Sequence, residues 1–135
     1  MKKVLVLCTG NSCRSIIAEA LINAAFGDRG IAAYSAGSHP SGRVNPMARR
    51  VLEKAGIWRD AYRSKTIEEA AENGPFDLVV TVCDNAKEAC PVFAGGTRTI
   101  HVGFEDPDNQ PYTAFEATFD AVKTGLLPVI EKELL

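Results

Sequence analysis

Apolar residues recur along this chain in two alternating patterns, short continuous runs and helical repeats. Residues 3–8 (KVLVLC) form the first run, continuous and β-branched, as suits a parallel strand buried on both faces. Residues 15–26 then place Ile16, Ile17, Ala20, Leu21 and Ala24 at helical spacing, with Gly27 at the end. Residues 31–35 read as a second strand, closed by Gly37 and Pro40. The next helix is well punctuated: Asn45 as N-cap, Pro46 in the first turn, Val51, Leu52 and Ala55 facing inward, and Gly56 as the stop. Thr66 with Glu69 makes a capping box for a short helix that Gly74-Pro75 ends. Residues 76–82 (FDLVVTV) are the clearest strand and residues 97–102 a weaker one. Thr113 with Glu116 makes another capping box, opening a helix that carries Phe115, Phe119, Val122 and Leu126, which Pro128 is expected to kink or split. This alternation predicts a single doubly wound α/β domain over residues 1–135, with ligands beyond the carboxyl ends of its strands.

Composition narrows the function. The chain has 135 residues, 46% hydrophobic and 24% charged, enough to fold without disulfide staples. Seventeen acidic against fifteen basic residues give a net charge of −2, which argues against a nucleic acid or an anionic membrane as partner. No apolar run approaches the ~20 residues of a membrane span. Met1-Lys2-Lys3 before residues 4–8 imitates a signal peptide, but the run is shorter than a true ~7–15-residue h-region and no small-residue cleavage site follows. A cytoplasmic monomer is therefore expected. In that compartment structural disulfides are rare, so four cysteines point to metal or redox work.

The first strand runs through Cys8-Thr9-Gly10-Asn11-Ser12-Cys13-Arg14-Ser15 straight into a helix. A cysteine, five residues, an arginine and a hydroxyl at a helix N-terminus together suit one task, holding a tetrahedral oxyanion against a thiolate. Backbone N–H groups from Thr9 to Arg14 can turn inward as an anion nest, aided by the helix dipole. Arg14 offers a planar fork to two oxygens, and Ser15 can donate a hydrogen bond to the sulfur. The same positive field favours the ionised, nucleophilic form of Cys8. The bland alternative is a buried cysteine beside an ordinary turn, and the placement between strand and helix argues against it.

CTGNSCRS, with Asp106-Pro107 far downstream, resembles the loop and acid of the low-molecular-weight protein tyrosine phosphatase superfamily, and the resemblance runs from the first strand to the last helix. It implies a four-stranded parallel sheet flanked by helices, Cys8 as nucleophile, Arg14 as oxyanion clamp and Asp106 as general acid. From its surroundings alone, Asp106 is one of several acids in Glu105-Asp106-Pro107-Asp108 and reads as well as a solvated turn residue.

Cys83 directly follows the third strand, at the same carboxyl edge as Cys8, and Cys90 lies seven residues on. If residues 84–89 are helical, the rise separates the two Cα atoms by roughly 10 Å. A disulfide tolerates only about 4.4–6.8 Å, so bonding the pair requires the segment to unwind. Asp84, Asn85 and Gly95-Gly96 make it a poor permanent helix. Two other readings are a pair of small buried side chains and a zinc site using all four cysteines, although C-x4-C and C-x6-C are wider than usual knuckle spacings. TVCDNAKEACP together with CTGNSCRS resembles the thioredoxin-coupled arsenate reductases, which share the phosphatase fold. That resemblance implies arsenate as substrate and a relay in which Cys8 attacks the oxyanion, Cys83 resolves Cys8, and Cys90 resolves Cys83. It further implies thioredoxin as the reductant, with glutaredoxin and glutathione as the other donor some relatives use; no cofactor is expected. A phosphatase with incidental cysteines and a thiol-based redox sensor without turnover are the competing readings.

Other residues are set aside. Cys13 packs behind the loop or guards Cys8 through a reversible disulfide. Asn11 and Ser35 serve either a loop-fixing network or local turns. Some relatives bind potassium with an Asn, a Glu, a Ser and an Asp; Asn11, Glu19 and Ser35 fit, but Lys65 stands where the Asp is expected, so no potassium site is predicted. His39 and His101 lack metal-ligand spacing to each other, and Trp58 is expected to cover the core near Gly56.

Overall fold

The computed structural model describes residues 1–84, 88–93 and 95–135. Its centre is a four-stranded, all-parallel sheet built from β1 (Lys2–Cys8), β2 (Ile31–Gly37), β3 (Leu78–Thr81) and β4 (Thr99–His101), in the order β2-β1-β3-β4. Central β1 is buried from Val4 to Cys8, which explains its unbroken apolar run. Val4, Val6 and Cys8 face one side with α1 (Arg14–Phe26) and α4 (Tyr112–Leu134), while Leu5 and Leu7 face the other with Val79, Ala36 and Ala70. On the first side α2 (Pro46–Lys54) packs against both α1 and α4. The second side is covered more thinly, by the five-residue α3 (Ile67–Ala71) and by Phe76, which meets Tyr34 and Phe93 edge-on at 5.9 and 6.0 Å.

Local chemistry sets most boundaries as expected. Asn45 caps α2 by accepting from the Met47 amide at 2.9 Å, and Thr66 and Glu69 form both halves of a capping box on α3. Two expectations for the last helix are corrected. Thr113 does not cap it: α4 starts at Tyr112 with Pro111 as N-cap and no side-chain cap bond, which puts Thr113 inside the first turn. Nor does Pro128 split it, since α4 runs unbroken for 23 residues. Pro128 and Thr124, whose carbonyl the missing N–H leaves without its helical partner, both face water, while Val122, Leu126 and Ile130 anchor the opposite stripe. Among the described residues, no helix is long and apolar enough to cross a membrane.

Glycine at position 37, where β2 ends, is required by a close approach. A Cβ built there would lie 2.5 Å from the Thr9 carbonyl oxygen and 3.0 Å from the Asn11 Cβ. Gly37→Ala is expected to destabilise the protein by about 1–3 kcal/mol in urea denaturation by forcing this loop outward; a change under ~0.5 kcal/mol would show that the loop yields freely.

Candidate active site

The turn between β1 and α1 is held by its carbonyls. The Ser38 amide donates to the Cys8 carbonyl at 3.3 Å, His39 to Thr9 at 2.9 Å, Ser41 to Gly10 at 2.9 Å and Asn45 to Ser12 at 3.0 Å. Ser64 Oγ adds a second bond to the Gly10 carbonyl at 3.1 Å. With the carbonyls tied outward, the loop amides turn inward, and among the described residues those of Gly10, Ser12 and Cys13 have no hydrogen-bond partner. Such amides at the start of α1 are the groups from which an anion nest is made.

Asn11 fixes the curvature. It is fully buried with φ 47°, a left-handed conformation that asparagine tolerates better than most residues. Its Oδ1 accepts from the Lys65 amide at 2.9 Å, and its Nδ2 donates to Ser15 Oγ at 2.7 Å and Ser35 Oγ at 3.0 Å. Ser35 in turn donates to Glu19 Oε1 at 2.6 Å. Ser15 Oγ lies 2.9 Å from Cys8 Sγ, and because it already accepts the Asn11 proton, its own proton is left for the sulfur. The Asn11 amide donates to the same sulfur at 3.2 Å. Glu19, Ser35, Asn11 and Ser15 therefore form one hydrogen-bonded chain ending at Cys8. Burial pushes the Glu19 carboxyl up and the Lys65 ammonium down, each partly offset by the other's charge. Lys65 Nζ donates to the Arg63 carbonyl at 3.0 Å.

Arg14 is 3% exposed, and its guanidinium is heavily engaged. It forms a two-pronged pair with Glu88, Nη1 to Oε1 and Nη2 to Oε2, the second at 3.1 Å. Nη1 also donates to the Phe104 carbonyl at 3.3 Å, and Nη2 lies 3.6 Å from Asp106 Oδ2. Glu88 accepts two further protons, from Thr9 Oγ1 and from the Asp84 amide, each at 2.7 Å. Its hydrogen bond to Arg14 holds its carboxyl down at about 2, against the cost of partial burial. Sequence reasoning missed Glu88. The available signal was an acid between Cys83 and Cys90, in a segment that begins at the edge where Arg14 sits.

Asp106 is about half exposed; its Oδ1 accepts from the Asp108 amide at 3.0 Å, and Asn45 Nδ2 ties Asp108 to the start of α2 at 3.1 Å. It lines a cavity of about 20 Å³ with Cys8, Gly10, Asn11, Ser12, Cys13 and Arg14. Of the loop residues predicted for the site, Thr9 and Ser15 do not line this cavity: Thr9 Oγ1 turns to Glu88 and Ser15 Oγ to the Cys8 sulfur. Cys13 is buried, and that burial pushes its thiol up to about 12, with the charges of Asp106, Asp108 and Cys8 adding to the effect.

Cys83 and Cys90 are joined in a disulfide with a Cα–Cα separation of 5.8 Å, while Cys8 and Cys13 are free thiols. That separation is within disulfide reach and short of the roughly 10 Å that seven straight helical steps would give. Asn85, Ala86 and Lys87, on which the helix-or-loop expectation also rested, lie outside the described residues. His101 offers a ring nitrogen within 4.8 Å of both sulfurs and shares a 2.7 Å hydrogen bond through Nδ1 with Thr81 Oγ1. Its place beside the pair was not anticipated. Bonded sulfurs are not the thiolates that metals bind. Trp58 packs partly buried against the core as expected, with Arg49 4.8 Å above its ring.

Residues 3–134 match the low molecular weight phosphotyrosine protein phosphatase family, and the chain belongs to it. Within that family it is 36% identical over 125 residues to arsenate reductase 2 of Staphylococcus haemolyticus (strain JCSC1435), covering 93% of each chain. Among solved structures it is similar to arsenate reductase from Archaeoglobus fulgidus DSM 4304, with TM-score 0.82, 26% identity and 95% and 98% of the two chains covered. An arsenate reductase in the phosphate binding state aligns with TM-score 0.77 and 33% identity over 98% and 99% of the chains.

Replacing Asn11 removes three side-chain bonds at once and leaves the Lys65 amide buried without a partner. Asn11→Ala is expected to lose about 1–3 kcal/mol of stability in urea denaturation and to weaken phosphate binding in calorimetry. Unchanged values for both would mean that the carbonyl ties alone hold the loop.

Proposed function

We propose that this protein reduces arsenate to arsenite with a three-cysteine relay whose electrons come from an external dithiol protein, thioredoxin first among them. The observation that carries this reading is the Cys83–Cys90 bond beside an oxyanion loop whose Cys8 remains a free thiol. That combination is the state in which such a relay ends, and hydrolysis of a phosphate ester has no use for it. The kinship with proteins named arsenate reductases supports the substrate.

In this mechanism the loop amides and the Arg14 fork hold arsenate over Cys8. The Cys8 thiolate, hydrogen-bonded by Ser15 and the Asn11 amide, bonds to arsenic. The departing oxygen takes a proton from Asp106 and leaves as water. The Cys83 thiolate then attacks the Cys8 sulfur. A sulfur–sulfur bond forms, the sulfur–arsenic bond breaks, and its electron pair stays on arsenic, which leaves as arsenite. Cys90 attacks Cys83 and releases Cys8 as a thiolate, which moves the disulfide to Cys83–Cys90. An incoming dithiol reduces that bond and restarts the cycle.

The test follows NADPH oxidation by the protein with thioredoxin, thioredoxin reductase and arsenate, phosphate serving as the control oxyanion. Steady arsenate-dependent turnover is expected, with Cys83→Ser and Cys90→Ser each stopping multiple turnover. Turnover only with glutaredoxin and glutathione would keep the chemistry and replace the donor. Silence with both donors, with aryl phosphate hydrolysis that survives Cys83→Ser, would establish the phosphatase reading and overturn this one.

A further inference from the structure

The carboxylate of Glu88 is bound as an oxyanion would be. It takes both prongs of the Arg14 fork, a hydroxyl proton from Thr9 and a backbone amide proton from Asp84. Charge-assisted, two-pronged pairing is the strongest recognition a guanidinium offers, and here it is spent on a side chain of the protein itself. The cavity remaining between the loop and Asp106 is about 20 Å³, about the room one water molecule needs. Glu88 lies two residues before Cys90, inside the loop that the Cys83–Cys90 bond closes.

We propose that Glu88 is an internal substitute for the oxyanion: while Cys83 and Cys90 are bonded, its carboxylate occupies the Arg14 clamp and keeps oxyanion out of the loop until the disulfide is reduced. The inference rests on the oxyanion-binding reading of the loop and adds an order to the cycle. With the resolving pair already oxidised, an arsenate bonded to Cys8 would have no thiol to resolve it. An anion that arrives with the disulfide prevents that dead end and also supplies the buried Arg14 with a countercharge once the oxyanion has left. Glu88 takes no part in bond making; it acts through Arg14.

Phosphate is the probe, because it does not oxidise thiols. Calorimetric titration of the full chain is expected to show phosphate binding at least tenfold weaker to the Cys83–Cys90 form than to the dithiol form. In Glu88→Gln the oxidised form is expected to recover to within about threefold of the reduced wild type, while the reduced variant binds as the wild type does. By reciprocity, saturating phosphate should also raise the reduction potential of the Cys83–Cys90 couple by about 30 mV for each tenfold preference for the reduced form. Equal phosphate affinity in the two redox states of the unmodified protein overturns the proposal without any variant, as does an oxidised Glu88→Gln that binds no better than the oxidised wild type. Arsenate turnover tests the relay, and the difference in phosphate affinity between the two redox states tests Glu88, so failure of one is distinguishable from failure of the other.

Discussion

The outward anchoring of the loop carbonyls is the constraint on which the rest depends. A run of peptide units that aims its amides at one point must aim its carbonyls away from it, and buried carbonyls need donors. The segment after β2 supplies them, with the amides of Ser38, His39, Ser41 and Asn45 each taking one loop carbonyl. Much of the local sequence follows from this. Gly37 must be small because the Thr9 carbonyl passes against its Cα; Asn11 must accept positive φ; and Asn45 serves two purposes, its amide closing the loop while its side chain starts α2. The parallel sheet brings these parts into register, since β1 and β2 end together at the Cys8–Gly37 pair.

A second constraint comes from Arg14. A guanidinium that is 3% exposed cannot be left without a countercharge, so its partner must change whenever the occupant of the loop changes. In this structure the partners are Glu88, the Phe104 carbonyl and, more distantly, Asp106. Asp106 is half exposed and holds its place through its own turn, which leaves it able to meet solvent or a leaving group. Glu88 belongs instead to the segment closed by the disulfide, and that linkage ties the electrostatics of the anion site to the redox state of two sulfurs.

Much of this was legible in the sequence because it is encoded locally. The β1 run, the Asn45 and Thr66 caps, and the cysteine-to-arginine loop each depend on residues within one or two turns of one another, which is where pattern carries most information. What the sequence hid was decided over longer distances. Thr113 and Glu116 have the spacing of a capping box, but Pro111 sets the extended backbone just before Tyr112, so the helix begins too early for Thr113 to cap it. Pro128 is tolerated because its freed carbonyl faces water, a fact that depends on how the whole helix is rotated against the sheet. Glu88 pairs with a residue 74 positions away, and an acid in a polar segment carries no mark of such a partner. His101 is likewise placed beside the cysteine pair only by the register of β4 on β3.

The fold itself does not choose between ester hydrolysis and oxyanion reduction. The loop, Arg14 and an acid can stabilise a pentavalent centre on Cys8 in either case, and hydrolysis then requires only water. Reduction requires that the next nucleophile attack sulfur, so that the electron pair of the sulfur–arsenic bond returns to arsenic. That requirement places a second thiol at the same sheet edge and a third to relieve it, and it makes the oxidised protein a state the cycle must pass through. A protein that passes through such a state with its nucleophile free must also keep fresh oxyanion away from it. In a reductase, the carboxylate that sits on the Arg14 fork inside the loop closed by the disulfide would meet that need.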